Sequence, residues 1–227
     1  SLFIRMQRSL AHHHPSAFLL AAQLLSLILY AIFDQLHSGR AILSAFGALV
    51  LVLVLWVVSQ GPVVQWIAWA LAIPAFVLTI FSAIFINPDL LAWSSLLNAA
   101  FYFYAAGSLI AYMLADRRVT TDELFAAGST FTLLAWGFAF LYLVFQEWLP
   151  GSFLYGSHPG QHLTFIEMLS LSFTNLSATG LGDIMPIAAP TRVLVMLEQF
   201  AGVGYVTIVV SRLIGLTISS RDRNKHV

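Results

Sequence analysis

The sequence predicts an all-α integral membrane protein with six transmembrane helices, and with a re-entrant helix and polar loop between the fifth and the sixth. Composition gives the first reason, because 59% of the 227 residues are hydrophobic and only 9% are charged, against about 25% charged in soluble domains. Segment length gives the second reason, since a helix needs roughly 20 apolar residues to cross the hydrocarbon core. The segments that are long enough are 15–33, 41–58, 63–86, 90–115, 124–146 and 191–216.

Short polar turns separate the first four segments, so neighbouring helices are predicted to run antiparallel. A charged stretch then divides these four helices from a second helical domain. The N-terminal residues mix apolar side chains with arginines and histidines, which predicts a cytoplasmic segment or a short helix in the membrane interface. The predicted regions are an N-terminal segment 1–14, a peripheral four-helix domain 15–115, a cytoplasmic linker 116–123, a second domain 124–218 and a cytoplasmic tail 219–227.

Basic residues in the loops predict the orientation of the chain, because cytoplasmic loops carry an excess of Lys and Arg. With the N-terminus inside, only Arg40 and Arg192 fall on the outer side. The remaining basic residues fall on or near the cytoplasmic side: Arg5, Arg8, Arg117, Arg118, Arg212, Arg221, Arg223 and Lys225. Both termini are therefore predicted to be cytoplasmic, and the polar loop of the second domain is predicted to face outward.

The fourth segment lacks the charges that a voltage sensor needs. A sensor places several charges inside the membrane field, each worth about 2.3 kcal/mol per 100 mV. Segment 90–115 contains no Arg or Lys, and Arg117 and Arg118 come after its end. The sequence therefore predicts no voltage sensing by a charged helix.

The stretch 164–186 reads TFIEMLSLSFTNLSATGLGDIMP and places a polar loop at membrane depth. Residues 165–176 are too few to span, so they predict a half-helix whose negative C-terminal end points toward the loop. Irregular backbone is tolerated at this depth only where protein buries it or where it lines a water-filled path. Gly180 and Gly182 are predicted to adopt left-handed backbone, which costs glycine little and turns successive carbonyls the same way. A ring of such carbonyls can replace the hydration shell of a monovalent cation.

The run 177–183 resembles the selectivity filter of the potassium-channel superfamily, which is usually written T-T-V-G-Y-G-D. Aligned without gaps, it matches at Gly180, Gly182 and Asp183. The resemblance covers residues 163–216 and continues past the loop into a pattern similar to the inner helix of bacterial pore-loop channels. That pattern comprises Ile184, Met185, Pro186, Leu197, Glu198, Gly202, Tyr205 and residues 212–216.

The resemblance implies a potassium channel of the bacterial plasma (inner) membrane that conducts passively. One loop cannot encircle an ion, so several chains must close around an axis, and the family implies a homotetramer. Potassium ions in the pore are the expected bound groups, the lipid bilayer is the expected surroundings, and neither enzymatic activity nor nucleic-acid binding is expected. The implied filter lining is the carbonyls of Ala178, Thr179, Gly180, Leu181 and Gly182, with K+ bound at the last four of these residues.

Other residues are expected to support this filter. The resemblance implies that Asp183 lies partly behind the filter, hydrogen-bonded to the pore helix. Glu198 lies inside the last span, where an unpaired acid is costly, so a structural brace with Thr174 or Asn175 is expected. Ser177 begins the loop and completes the supporting set.

Two departures from the family pattern keep alternatives open. Ala178 stands where the family has threonine, so the innermost ion site loses a hydroxyl ligand. Leu181 replaces the aromatic residue whose hydroxyl braces the filter from behind. A weakly selective monovalent cation channel is therefore an alternative, and a non-conducting, channel-like sensor subunit is another.

The last segment carries the residues expected to control opening. Gly202 and Gly204 lie where the helix can bend, although close helix packing explains them nearly as well. Val203, Val206, Val210 and Ile214 recur at helical spacing, which predicts an apolar constriction that gates by dewetting. The tail 219–227 is too short for a nucleotide- or calcium-binding domain. Gating is therefore expected to arise in the membrane, or to need a regulatory domain or partner outside this sequence.

Overall fold

The structure is a computed structural model that describes residues 15–33, 39–59, 65–85, 87–115, 121–156, 158–159, 161–180, 182–212 and 214–215. Several predicted features fall outside the described residues. These are the N-terminal segment 1–14, the greater part of the linker 116–123, Leu181 of the predicted filter, and the tail 219–227.

Within the described residues, each predicted apolar segment overlaps a helix. The bounds of the α-helices within the described residues are α1 Pro15–Phe33, α2 Gly39–Ser59, α3 Gln65–Ile84, α4 Pro88–Ala115, α5 Thr121–Trp148, α6 Phe165–Leu176 and α7 Ala189–Tyr205. α7 continues directly into a π-helix over Val206–Val210. The short α6 has the bounds that the sequence predicted for the half-helix.

Four of the helices are long and apolar enough to cross a membrane within the described part of the chain. They are α3 over Gln65–Ser82, α4, α5, and α7 together with the π-helix over Ala189–Val210. α1 and α2 are also apolar, with shorter apolar stretches at Pro15–Tyr30 and Gly47–Ser59. The protein is thus mostly helical with four clear membrane-spanning candidates, and the six predicted spans remain a prediction.

α5 packs against four other helices, α1, α4, α6 and α7. α4 lies along it, α1 packs against it, and α6 lies between it and α7. Trp136 of α5 is fully buried and contacts the rings of Tyr30 on α1, Tyr102 on α4 and Phe165 on α6. Each such aromatic pair adds about 0.5–1.5 kcal/mol beyond its buried area. Of the peripheral helices, α1 and α4 are therefore fixed directly to the scaffold that carries α6 and its loop, and α2 and α3 pack against these two.

A small sheet corrects the predicted all-α class. Its strands are β1 Phe153–Tyr155, β2 His158–Pro159 and β3 Ile184–Pro186, in the antiparallel order β2-β1-β3. Strands of two or three residues are too short to show the alternating pattern by which a strand is recognised. The pairing of β1 with β3 ties the chain after the α6 loop to the chain after α5.

Candidate functional site

α6 begins with a reciprocal pair of hydrogen bonds that fixes its first turn. The backbone N–H of Thr164 donates to Glu167 Oε2 (2.7 Å), and the N–H of Glu167 donates to Thr164 Oγ1 (3.4 Å). This capping box supplies partners to backbone N–H groups that a helix start leaves unpaired. With 12 residues, the helix is about 18 Å long, which is shorter than the hydrocarbon core of about 30 Å.

The loop after α6 has alternating backbone handedness, and its pair of left-handed residues lies two residues earlier than expected. Gly180 has a φ of 62°, which confirms its predicted left-handed conformation. The same prediction for Gly182 is wrong, because Ala178 (φ 57°) occupies the other left-handed position and Gly182 lies outside that region. The reversal must begin at Ala178 because the chain turns back on α6 as soon as the helix ends.

Because the chain reverses here, two N–H groups of the loop donate to the same carbonyl oxygen. The N–H groups of Thr179 and Gly180 both donate to the carbonyl oxygen of Thr174, at 3.0 and 3.1 Å. In a trans peptide the C=O points opposite to the N–H of the following residue. The carbonyls of Ala178 and Thr179 are therefore both directed away from α6, on the side where the loop is exposed in the single chain.

Side chains reinforce the same contact. Thr179 Oγ1 and Ser177 Oγ each donate to the Thr174 carbonyl (3.1 and 3.3 Å), and the two hydroxyl oxygens lie 3.0 Å apart. Thr174 thus supports the loop through its backbone oxygen. Its own hydroxyl donates to the carbonyl of Leu171 (2.9 Å), so it is not among the described partners of Glu198.

Asp183 is held by the small sheet at the C-terminal end of the loop. Its side chain is hydrogen-bonded to Tyr155 of β1, and its carbonyl accepts from the N–H of Gly156 (3.2 Å). The negative charge of Asp183, with that of Glu167 second, raises the pKa of the Tyr155 phenol above its ordinary value of 10.0. The described side-chain partner is therefore in β1, whereas the resemblance implied one in the pore helix.

Glu198 of α7 is fully buried at the junction of three helices. Tyr142 of α5 donates its hydroxyl proton to Glu198 Oε2, and Ser172 of α6 is hydrogen-bonded to Glu198 Oε1. The Asn175 amide donates to the Tyr142 hydroxyl (3.5 Å) and its oxygen accepts from Gln199 (3.5 Å). This buried cluster connects α5, α6 and α7 behind the loop.

Tyr142 and Ser172 were missed by the sequence reasoning. A signal for Ser172 existed, because it lies three residues before Asn175 and so shares its face of the helix. Nothing in the sequence pairs Tyr142 with an acid that is 56 residues away.

Gly202 is a close-packing position. A Cβ placed on it would overlap the carbonyl of Leu176 and lie 3.0 Å from its Cα. Gly204 has open space around it, and the π-helix begins two residues later. Of the four predicted constriction residues, Val203, Val206 and Ile214 are exposed in the single chain and Val210 is half-buried.

Part of the chain matches the model of a known protein family. Residues 128–218 match the family model described as an ion channel. The matched stretch covers less than half of the chain, and it runs from within α5 through α6, the loop and α7. No curated protein and no solved structure matches the chain. Residues 128–218 thus resemble an ion-channel domain, which supports a passive ion channel located in a membrane.

Proposed function

We propose that this protein is a homotetrameric potassium channel of the plasma (inner) membrane, with both termini cytoplasmic. Four copies of the loop surround the axis, and their carbonyls replace the water around K+. The proposed ligands are the carbonyl oxygens of Ala178, Thr179, Gly180, Leu181 and Gly182, with K+ bound at the last four.

The observation that carries this proposal is the shared use of the Thr174 carbonyl. Because Thr179 and Gly180 both donate their N–H groups to that oxygen, the preceding carbonyls are left pointing to the exposed side. On that side, α6 of the same chain donates no hydrogen bond to these carbonyl oxygens. An uncovered row of carbonyl dipoles at membrane depth needs a cation or water as a partner.

The charge distribution favours a cation there. The C-terminal end of α6 carries partial negative charge, equivalent to about half an elementary charge in a long helix. Glu167 and Asp183 add acids on the outer side, and residues 161–180 contain no Lys or Arg. An anion would meet repulsion along this entire path.

Association of several copies is supported by the face that α7 leaves uncovered. Large apolar side chains are exposed there in the single chain, and contiguous apolar surface marks contact with protein or lipid. They are Val193, Met196, Leu197, Phe200 and Val203. With one loop in each chain, closure of a pore requires other copies, and the family resemblance sets their number at four.

Conduction is proposed to be independent of a charged voltage sensor. α4 occupies the position of such a helix and contains no Lys or Arg. Its Asn98 instead donates to Thr79 Oγ1 on α3 (2.9 Å), a neutral polar contact within the bundle.

A weakly selective monovalent cation channel is the second candidate, and Ala178 favours it. The methyl group of Ala178 offers no oxygen, so the innermost position has only backbone ligands. Fewer oxygen ligands leave less difference between the coordination of K+ and that of Na+.

The test is ion flux from liposomes that contain the purified full chain, with K+ and Na+ compared. Gly180→Asp is expected to abolish K+ flux, since it places a side chain at a left-handed position of the filter. Gly107→Ala is the matched control, because that glycine lies in α4 with open space around it. Equal K+ and Na+ flux would favour the second candidate, and unchanged flux in Gly180→Asp would refute a pathway through this loop.

A further inference from the structure

The hydrogen bonds of the buried cluster of Tyr142, Ser172 and Glu198 indicate which of these side chains carry a proton. Ser172 Oγ is hydrogen-bonded to two oxygens, the Ala135 carbonyl of α5 (2.7 Å) and Glu198 Oε1. A hydroxyl has one proton and can donate it to only one of them. The Ala135 carbonyl has no proton to give, so it takes the one from Ser172. The contact between Ser172 and Glu198 then requires a proton from Glu198.

The bond at the other carboxyl oxygen, Glu198 Oε2, is consistent with this assignment of protons. Glu198 Oε2 accepts the proton of Tyr142, whose oxygen in turn accepts from the Asn175 amide. The Asn175 side chain is also hydrogen-bonded to the carboxyl group. The bonds of Ser172 to Ala135, of Ser172 to Glu198 and of Tyr142 to Glu198 form together when Ser172, Tyr142 and Glu198 each carry one proton.

Among the residues that the structure describes, no cationic side chain contacts Glu198 to favour the ionised form. Glu198 is fully buried, and α7 packs against α5, α6, β3 and the π-helix. Among the described contacts, the titratable group that faces Glu198 is the phenol of Tyr142. β3 and the π-helix contain no ionisable residue. The other ionisable residues of these elements and of α7 lie elsewhere along them: Asp122, Glu123, Glu147, Glu167, Arg192 and Tyr205. An unpaired charge at this depth is expensive.

We propose that Glu198 is a neutral acid in this arrangement, and that its proton holds α6 and the filter loop in place. Glu198 is a positioning residue: it donates to Ser172 on α6, while Ser172 donates to Ala135 on α5. Loss of the proton sets two acceptor oxygens against each other at Ser172, and α6 must move or Ser172 must release Ala135. Because Thr174 lies two residues further along α6 and anchors the loop, this movement lowers ion flux at alkaline pH.

The first test does not depend on conduction. An infrared spectrum of the full chain at neutral pH is expected to show the C=O stretch of a protonated carboxylic acid. The band is lost in Glu198→Gln and kept in Glu147→Gln, where another glutamate is replaced. Absence of a band that differs between the wild type and Glu198→Gln overturns the proposal, whatever the flux measurements show.

The second test uses the flux assay, and so it rests on the proposed function. Wild-type flux is followed from about pH 6 to about pH 10 and is expected to fall by about tenfold for each pH unit once the acid titrates. Glu198→Gln keeps a neutral donor and acceptor at the same place, so its flux is expected to stay level over this range. If Glu198 only filled space, Glu198→Gln would show the same pH dependence of flux as the wild type.

The outcomes separate the two proposals. A decline of equal size in the wild type and in Glu198→Gln overturns the role of Glu198, because every other titrating group is shared. No flux from either protein at neutral pH counts against the proposed function, and the infrared test still decides the protonation of Glu198. Loss of flux in Glu198→Ala with retention in Glu198→Gln supports the positioning role.

Discussion

The backbone of Gly202 touches the backbone of Leu176, so α7 meets the end of α6 with no side chain between them. A Cβ on Gly202 would lie 3.0 Å from the Leu176 Cα and would overlap its carbonyl oxygen. Leu176 is the last residue of α6, directly before the loop. Any displacement at this contact therefore reaches the loop without an intervening flexible group.

Gly202→Ala is expected to destabilise the protein, because the added methyl group forces two backbones apart. Such overpacking costs about 1–3 kcal/mol, which outweighs the roughly 0.5–1 kcal/mol that Ala contributes over Gly within a helix. Thermal unfolding in detergent measures the change. Gly204→Ala is the control, since it has open space and is expected to be neutral or stabilising. Equal effects of both variants would contradict the close contact.

Ala178→Gly is expected to stabilise the loop. Left-handed backbone costs a residue with a Cβ about 1–2 kcal/mol, and Gly avoids this cost while losing roughly 0.5–1 kcal/mol more conformational entropy. Ala178→Thr is expected to destabilise, because a β-branched residue fits this conformation less well than Ala. Thermal unfolding of the two variants should move in opposite directions. For comparison, Ala106→Gly in the interior of α4 should lower the unfolding temperature.

Tyr142→Phe is expected to destabilise by about 1–3 kcal/mol, because it removes the donor to Glu198 Oε2 and leaves a buried oxygen unsatisfied. Tyr142→Phe made in the Glu198→Leu variant should lower the unfolding free energy much less, since the acceptor of the hydrogen bond is then absent too. A double-mutant cycle of unfolding free energies measures the difference. Additive costs would show that the two side chains do not interact.

Asp183→Asn is expected to lower the pKa of Tyr155 toward its ordinary value, since the Asp183 charge is the largest cause of its elevation. The neutral phenol is the form favoured in the folded protein. Its contribution to stability is therefore complete below the ordinary pKa of 10.0 and is lost as pH rises through the elevated pKa of the folded state. Ultraviolet titration of phenolate, with Tyr155→Phe subtracted, measures this pKa. An identical titration in Asp183→Asn would contradict the contact.

Local patterns were enough to predict the helices. An apolar run of spanning length predicted α1 at its observed bounds, and a stretch too short to span predicted the half-helix α6 at its own. The run 177–183 located the loop. Length and turn residues are properties of consecutive residues. The same patterns missed β1, β2 and β3. Strands this short form because α5 and the end of the loop are brought together, which their own sequences do not encode.

The sequence by itself determined that the chain is apolar and helical, that α4 carries no sensing charges, and that one glycine-containing loop interrupts the second domain. Only the tertiary structure decided which residues hold that loop. Ala178 takes the left-handed position expected of Gly182 because the Thr174 carbonyl gathers the N–H groups of Thr179 and Gly180. Glu198 meets Tyr142 and Ser172 because three helices converge there. Contacts between residues far apart in sequence depend on how the helices pack, and hydrophobic periodicity does not record them.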